Sequence, residues 1–241
     1  MRYGIFSDVH SNLEAFEEAV SFYKKKGIDK FIFLGDIVGY GANPREVISL
    51  LREMKPISIA GNHDWAVIGK FDKNNLNSYA KEAIIWTQHR LSEEEKQFLH
   101  TFSLTYEDKD FICTHSSLIA PEDFSYILDI EDAYWNFQVL GKKICFIGHS
   151  HRQGVFSLRG GRVFFSQERR IQLNEADKYI INVGSVGQPR DRDNRLSICI
   201  YDEDKKIVTW ERLEYNIKKS SDKILREGLP SILAWRLYEG W

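Results

Sequence analysis

The residues whose types could do chemistry sit where short apolar runs end. The run Tyr3 to Ser7 leads into Asp8-Val9-His10, Phe31 to Leu34 into Gly35-Asp36, and Ile57 to Ala60 into Gly61-Asn62-His63-Asp64. Later runs end in Thr114-His115 and Gly148-His149-Ser150-His151. Five of the seven histidines therefore fall at predicted strand-to-loop junctions. Neutral imidazoles beside carboxylates suit borderline divalent ions such as Mn, Fe, Co, Ni or Zn. No thiolate joins the set, which argues against a structural zinc knot. Six or seven nitrogen and oxygen donors are too many for one tetrahedral ion. The alternating pairs Asp8/His10 and His149/His151 suggest two neighbouring divalent ions, with Mn favoured. Asp36 is the natural shared ligand, because its two oxygens can each serve one ion.

Two divalent ions, the Asp8 and Asp36 carboxylates and a bridging hydroxide leave about one positive charge, which favours an anionic substrate. Such a pair of ions polarises a phosphoryl group and lowers the pKa of bound water toward ~7, giving a nucleophile for in-line attack. The expected reaction is phosphoester hydrolysis. Farther along, Arg190, Arg192 and Arg195 alternate with Asp191, Asp193 and Asn194, a pattern that also fits a solvated charge run. Arg190 is the best placed of them to bind substrate phosphate, since a planar guanidinium can do so bidentately.

The elements that must position these residues follow from periodicity. Ser11-Asn12-Leu13-Glu14 fits a capping box that starts a helix, Leu13, Phe16, Val20 and Tyr23 recur at helical spacing, and Gly27 ends it. Pro44 suits the first turn of a second helix running to about Arg52. The resulting β-α-β-α-β order predicts a parallel sheet, whose ligands collect at the carboxyl ends of the strands. A helical insertion is expected over about 65–103, and Trp65, Tyr79 and Trp86 could supply a base-stacking wall or simply pack. Strands return from Phe111 onward, with hairpins at Gly160-Gly161 and Asp202 to Lys206, and helices split by Pro230 cover about 218–241. The expectation is one α/β domain spanning 1–241.

Composition bounds the partners. With 43% apolar and 28% charged residues the chain is an ordinary globular protein. A net charge of -2 supplies no global field to recruit nucleic acid or an anionic membrane. Cys113, Cys145 and Cys199 lie in apolar runs without a CxxC pair, as strand-core residues do. Neither a signal-like stretch nor a ~20-residue apolar span occurs, so a cytoplasmic location is expected. His89 and His100 have no partner motif and are read as surface or packing residues. Ser185 lacks the glycine two residues earlier that a nucleophile elbow needs. Gly39-Tyr40-Gly41 lacks the third glycine of a dinucleotide fingerprint.

Taken in order, Asp8-Val9-His10, Gly35-Asp36, Gly61-Asn62-His63-Asp64, His115 and Gly148-His149-Ser150-His151 resemble the calcineurin-like metallophosphoesterases. The stretch Asn182 to Arg190 resembles their smaller prokaryotic phosphodiesterase branch and carries the likeness to about residue 195. The resemblance implies a four-layer α/β/β/α sandwich of two mixed sheets. It places Asp8, His10, Asp36 and His151 on one metal and Asp36, Asn62, His115 and His149 on the other, with Asp36 bridging. It further implies that His63 faces the substrate, protonating the departing alkoxide or stabilising phosphate charge, while Asp64 orients its ring. An imidazolium near the ordinary histidine pKa of ~6.5 fits that pairing. The Asp-Arg-Gly of the Ser/Thr protein phosphatases is absent, Gly39-Tyr40-Gly41 standing in the comparable stretch, which favours a small diester or nucleotide over a phosphoprotein. The alternatives are a dinucleoside polyphosphate hydrolase or a non-catalytic metal-binding scaffold of the same fold.

Overall fold

Alternation of side chains along the first strand sets out the layers. β1 (Arg2–Phe6) turns Tyr3 and Ile5 toward one apolar cluster and Phe6 toward another. In the computed structural model, which describes residues 1–241, the same alternation recurs in every central strand. The strands β2 (Lys30–Phe33), β3 (Ile57–Ser58), β9 (Arg170–Gln172), β11 (Leu196–Asp202) and β12 (Ile207–Leu213) join β1 in a sheet of order β3-β2-β1-β11-β12-β9. A second sheet has the order β4-β5-β6-β10-β7-β8. Its strands are β4 (Thr105–Glu107), β5 (Phe111–Thr114), β6 (Ile144–Ile147), β7 (Gly154–Arg159), β8 (Arg162–Ser166) and β10 (Lys178–Asn182).

Both sheets are mixed. β1, β2 and β3 are parallel, as are β5, β6 and β10, and antiparallel strands flank each trio. Between the sheets, Tyr3, Ile5, Phe111, Phe146, Tyr201 and Trp210 form the central core. The outer face of the first sheet packs Phe6 and Phe33 against α1 (Leu13–Lys24), α2 (Pro44–Met54), α4 (Ser78–Arg90) and α5 (Glu93–His100). The outer face of the second packs Cys145, Ile147 and Ile180 against α6 (Ile130–Val139). This is the four-layer α/β/β/α sandwich. Cys113, Cys145 and Cys199 are buried free thiols within it. No helix is long and apolar enough to cross a membrane.

Several elements depart from the sequence reading. Ser11 does not cap α1: its backbone takes a left-handed φ of 54°, and the cap passes to Asn12, whose side chain accepts from the Ala15 amide. Glu14 is thereby free to bind elsewhere, and it meets Lys223 and Ser220 of α7 (Ile217–Arg226). The run after Pro56 shrinks to the two residues of β3, and Asn62 already opens α3 (Asn62–Val67). α6, β4 and β9 have no counterpart in the periodicity. The carboxyl-terminal helices are α7 and α8 (Ser231–Glu239), which pack on each other and on Ala80 and Ala83 of α4.

Candidate metal centre

The carboxyl ends of the parallel strands meet at one place. Asp8 and His10 follow β1, Asp36 follows β2, Asn62 and His63 open the helix after β3, His115 follows β5, and His149 and His151 follow β6. All are buried. Five of these side chains stand on strained backbone: Asp8, His10, Asp36, His149 and His151 have φ of 55°, 49°, 61°, 63° and 59°. Each such residue costs roughly 1–3 kcal/mol and persists where the surroundings over-determine it. Gly35 permits the tight approach: at φ 102°, a Cβ there would lie 2.6 Å from the Gly61 nitrogen and 2.7 Å from His115 Nδ1.

Three overlapping groups have donor atoms within 4.8 Å of one another: Asp8/His10/His151, His10/Asp36/His63 and Asp36/His115/His149. His10 Nδ1 faces the Val38 carbonyl at 3.1 Å, His115 Nδ1 that of Leu34 at 2.6 Å, and His151 Nδ1 that of Gln188 at 2.5 Å. A carbonyl only accepts, so these nitrogens donate and turn each Nε2 lone pair inward. There His10 Nε2 stands 3.0 Å from His151 Nε2, and His115 Nε2 stands 3.1 Å from His149 Nδ1. Facing lone pairs at that separation call for a cation or a proton between them. Asp8 Oδ1 and Asn62 Oδ1 are buried with no hydrogen-bond donor. Inward nitrogens and orphaned oxygens are the donor set that a divalent ion satisfies, so these residues fit a metal.

The two carboxylates are tied differently. Asp8 Oδ2 accepts from the His149 amide at 3.0 Å, leaving Oδ1 3.2 Å from His151 Nε2. Asp36 Oδ1 accepts from the His63 amide at 2.8 Å. Its Oδ2 lies 3.3 Å from His115 Nε2 and 3.7 Å from His10 Nε2, so one oxygen faces both groups, rather than one oxygen facing each. Burial would raise both carboxyls, but the surrounding imidazoles outweigh it and hold both below the usual carboxylate range. Burial likewise opposes protonation of His115, yet the facing Asp36 and Asp8 push its imidazole up to about 9. His10, His149 and His151 are lowered, chiefly by burial.

Asp64 does not orient His63. Its oxygens accept from the amides of Asp36 at 2.7 Å, Ile37 at 2.9 Å and Gly61 at 3.1 Å, which ties the loop after β2 to the start of α3. At the third position of that helix its carboxylate turns back toward the open amides, and His63 Nδ1 is left without a partner. Burial lowers the His63 imidazole to about 4, Asp36 only partly opposing it, so the ring is neutral where the sequence suggested an imidazolium. The ring packs between His10 and Tyr40, with centroids 4.8 and 4.5 Å away.

Above this floor opens a cavity of about 510 Å³. Arg190 lines it and donates to Gln188 Oε1 at 2.9 Å and Tyr40 Oη at 3.3 Å. The acidic neighbours expected to neutralise it are engaged elsewhere, Asp191 with Arg212 and Asp193 with Arg195. The aromatic wall is not the one suggested by sequence. Trp65 packs edge-on behind Phe124, Tyr79 is exposed, and Trp86 lies beneath Arg90 beside the carboxyl-terminal helices. Phe71, Phe124 and Tyr126 line the cavity instead, Tyr126 stacking on His149 at 3.9 Å. His89 and His100 lie exposed in α4 and α5. Ser185 holds a turn, donating to the Asp8 carbonyl and accepting from the Gln188 amide, both at 2.8 Å.

The family profile described as the calcineurin-like phosphoesterase superfamily domain matches residues 1–206. The chain belongs to this superfamily. It is 41% identical to an uncharacterized protein, MJ0912, of Methanocaldococcus jannaschii, over 98% of this chain and 97% of that one. A metallophosphoesterase from Sphaerobacter thermophilus superposes with a TM-score of 0.88 at 36% identity, covering 100% of this chain and 99% of the other. The hypothetical protein PH1004 from Pyrococcus horikoshii OT3 shares the fold, with a TM-score of 0.80 at 19% identity and coverage of 100% and 98%. Membership makes the protein a hydrolase of phosphoester bonds and implies divalent metal ions, which the His/Asp groups above could hold.

Proposed function

We propose that the cavity hydrolyses a small phosphodiester, phosphomonoester or nucleotide with the help of two divalent ions. Asp8, His10, Asp36 and His151 would hold one and Asp36, Asn62, His115 and His149 the other, Asp36 being shared. The observation that carries this reading is the pair of facing imidazole contacts, His10–His151 and His115–His149, on either side of Asp36 Oδ2. When bound, the ions supply Lewis-acid polarisation of the phosphoryl group and activation of water. The carbonyls of Val38, Leu34 and Gln188 fix the imidazole tautomers so that each ring offers Nε2 inward. His63, neutral on the cavity wall, would donate a hydrogen bond to the phosphate and, once the charge of a bound anion raises its imidazole, a proton to the leaving oxygen, while Arg190 would grip the phosphate.

The test is elemental analysis of the protein loaded separately with Mn, Ni, Co and Mg, followed by a panel of monoesters, aryl diesters and dinucleoside polyphosphates. Two ions per chain and turnover of at least one ester are expected. One ion per chain overturns the dinuclear arrangement. A fully loaded protein inert toward the whole panel overturns catalysis and leaves the scaffold alternative.

A further inference from the structure

Of the four strands at the edges of the two sheets, three are blunted in the ways that keep an edge from pairing with another chain. β3 has only two residues, β4 carries Glu107, which meets Lys142 at 2.8 Å, and β9 is a three-residue strand with Arg170 exposed. β8 differs. It runs for five residues in continuous register with β7, and its centre, Val163-Phe164-Phe165, holds no charge, proline or bulge. The two-residue Gly160-Gly161 turn makes Arg159 and Arg162 the closing hydrogen-bonded pair of the β7–β8 hairpin. Along the register from that pair, Arg162, Phe164 and Ser166 turn their amides and carbonyls to β7, whereas Val163 and Phe165 turn theirs outward. No other strand lies on that side.

The side chains beside this open edge are apolar too. Phe164 and Phe165 are 50% and 48% exposed, Phe165 lying 4.8 Å from Phe156 on the face that α6 covers. α6 packs against β7 and β8, with Ala133 and Phe137 in the shared apolar cluster. Away from that cluster, where a surface helix ordinarily turns polar residues, its Tyr134 and Trp135 are 42% and 56% exposed. At about half of the ~150–250 Å² that an aromatic side chain can bury, these four rings expose roughly 300–500 Å², about half of the ~800 Å² that each partner contributes to a standard interface. The strand is also its own complement. An antiparallel β8–β8 pair centred on Phe164 sets Val163 of each copy against Phe165 of the other, and the four hydrogen bonds formed satisfy every outward amide and carbonyl. Arg162 then faces Ser166, so like charges stay apart, and Phe164 meets Phe164 across the axis. A twofold axis of this kind stands perpendicular to the sheet, which keeps both α6 helices on the same side of the seam.

We propose that two copies of this chain join edge to edge through β8, extending the six-stranded second sheet across a twofold axis at Phe164, with the α6 helices flanking the seam. The inference stands apart from the phosphoesterase reading, since no β8 residue lines the cavity.

Sedimentation of the full chain across the micromolar range tests it, and a species of twice the chain mass is expected. F164E and F164K each set two like charges face to face at the axis and weaken the dimer by ~100-fold or more. An equimolar mixture of the two variants restores association as a heterodimer. V163P removes an outward amide that the β7–β8 hairpin does not use, so it weakens association while leaving the far-ultraviolet circular dichroism unchanged. Hydrogen exchange reads the seam directly in the wild type: the Val163 and Phe165 amides are protected in the dimer and exchange freely on dilution to monomer. This measurement decides alone if a variant fails to fold. A wild type that stays monomeric throughout the range overturns the proposal. A dimer that F164E and V163P leave intact, or one whose Val163 and Phe165 amides exchange freely, uses another face and overturns it as well. Failure of the mixed charge variants to associate overturns the pairing centred on Phe164.

Discussion

At the floor of the cavity every candidate ligand hangs from the end of a buried strand or the first turn of the helix after one, whereas the rim is gathered from distant segments. The floor side chains are at most 6% exposed, while Tyr126 at the rim is 46% exposed. Backbone strain is densest on the floor, where Asp8, His10, Asp36, His149 and His151 are all left-handed, although Phe124 at the rim shares it with a φ of 51°. Position at the floor is therefore set by sheet register, and chemistry there tolerates little change. Above it the rim is gathered from the Phe124–Tyr126 stretch, the segment around Phe71 and Arg190, each contributing separately.

Asp36→Asn tests the floor most severely. It removes the one carboxylate whose Oδ2 faces both imidazole groups while leaving an oxygen for the His63 amide. Partners of ligands already cost 10–100-fold in metal affinity, so a shared ligand should cost at least ~100-fold, with turnover falling in step. Metal content after dialysis, read by elemental analysis, decides the outcome. A variant that keeps two ions and full turnover would show that the floor is not organised around this residue.

His63→Ala sharpens the boundary between floor and cavity. A proton donor outside the ligand set predicts a kcat lower by roughly 10²–10⁴-fold with metal content unchanged. Because His63 shares the 4.8 Å group with His10 and Asp36, simultaneous loss of an ion would move it into the ligand set. Aryl diesters with good leaving groups should suffer least, since they need little protonation. Equal losses across leaving groups would remove the proposed acid.

The contrast between floor and rim also explains what was legible in the sequence. Floor residues could be read because a strand end fixes where a side chain points, and Asp8-Val9-His10 or His149-Ser150-His151 carries its own geometry. The role of Asp64 could not be read: which of its neighbours a carboxylate meets depends on the turn that opens α3, and there the amides of Asp36, Ile37 and Gly61 are nearer than the His63 ring. α6 escaped notice because Ile130, Tyr134, Trp135 and Val139 are apolar yet exposed, which blurs its helical period. β9 is an edge strand with Arg170 and Gln172 exposed around Ile171, too polar to resemble the central runs. Arg236 lies on one of the two helices expected on either side of Pro230, an expectation that says nothing about what each helix face meets.

Asp64→Asn probes the join between β2 and α3. A neutral amide offers one acceptor oxygen where the carboxylate now serves amides at Asp36, Ile37 and Gly61. Leaving a buried amide unpaired costs ~1–3 kcal/mol, equivalent to a melting temperature lower by ~2–4 °C per kcal/mol in a chain of this size. Turnover should fall less than in His63→Ala because the ligands themselves remain. A larger catalytic than structural effect, seen by comparing thermal melts with kcat, would restore Asp64 to a role beside His63.

Glu14→Gln acts away from the floor and should have the smallest effect. The buried Glu14 carboxylate lies 2.6 Å from Lys223 Nζ, 3.0 Å from Ser220 Oγ and 3.1 Å from Lys219 Nζ, tying α7 to α1. Because α7 packs on α8, this tie steadies α8 as well. Burial raises the Glu14 carboxyl, but its bonds to Lys223 and Lys219 more than offset that and lower it below the ordinary value. A depressed folded pKa means that the stabilisation is present above the unfolded value of ~4.3 and is lost as pH falls through the folded value. Wild type should therefore melt ~2–4 °C above the variant near neutral pH, for a tie of about 1 kcal/mol, with the gap closing below about pH 4. Metal content should not change in the variant, since none of the floor residues touches Glu14. A gap that persists undiminished into acid would mean that packing of the longer α1 face, rather than the ion pairs, holds α7 in place.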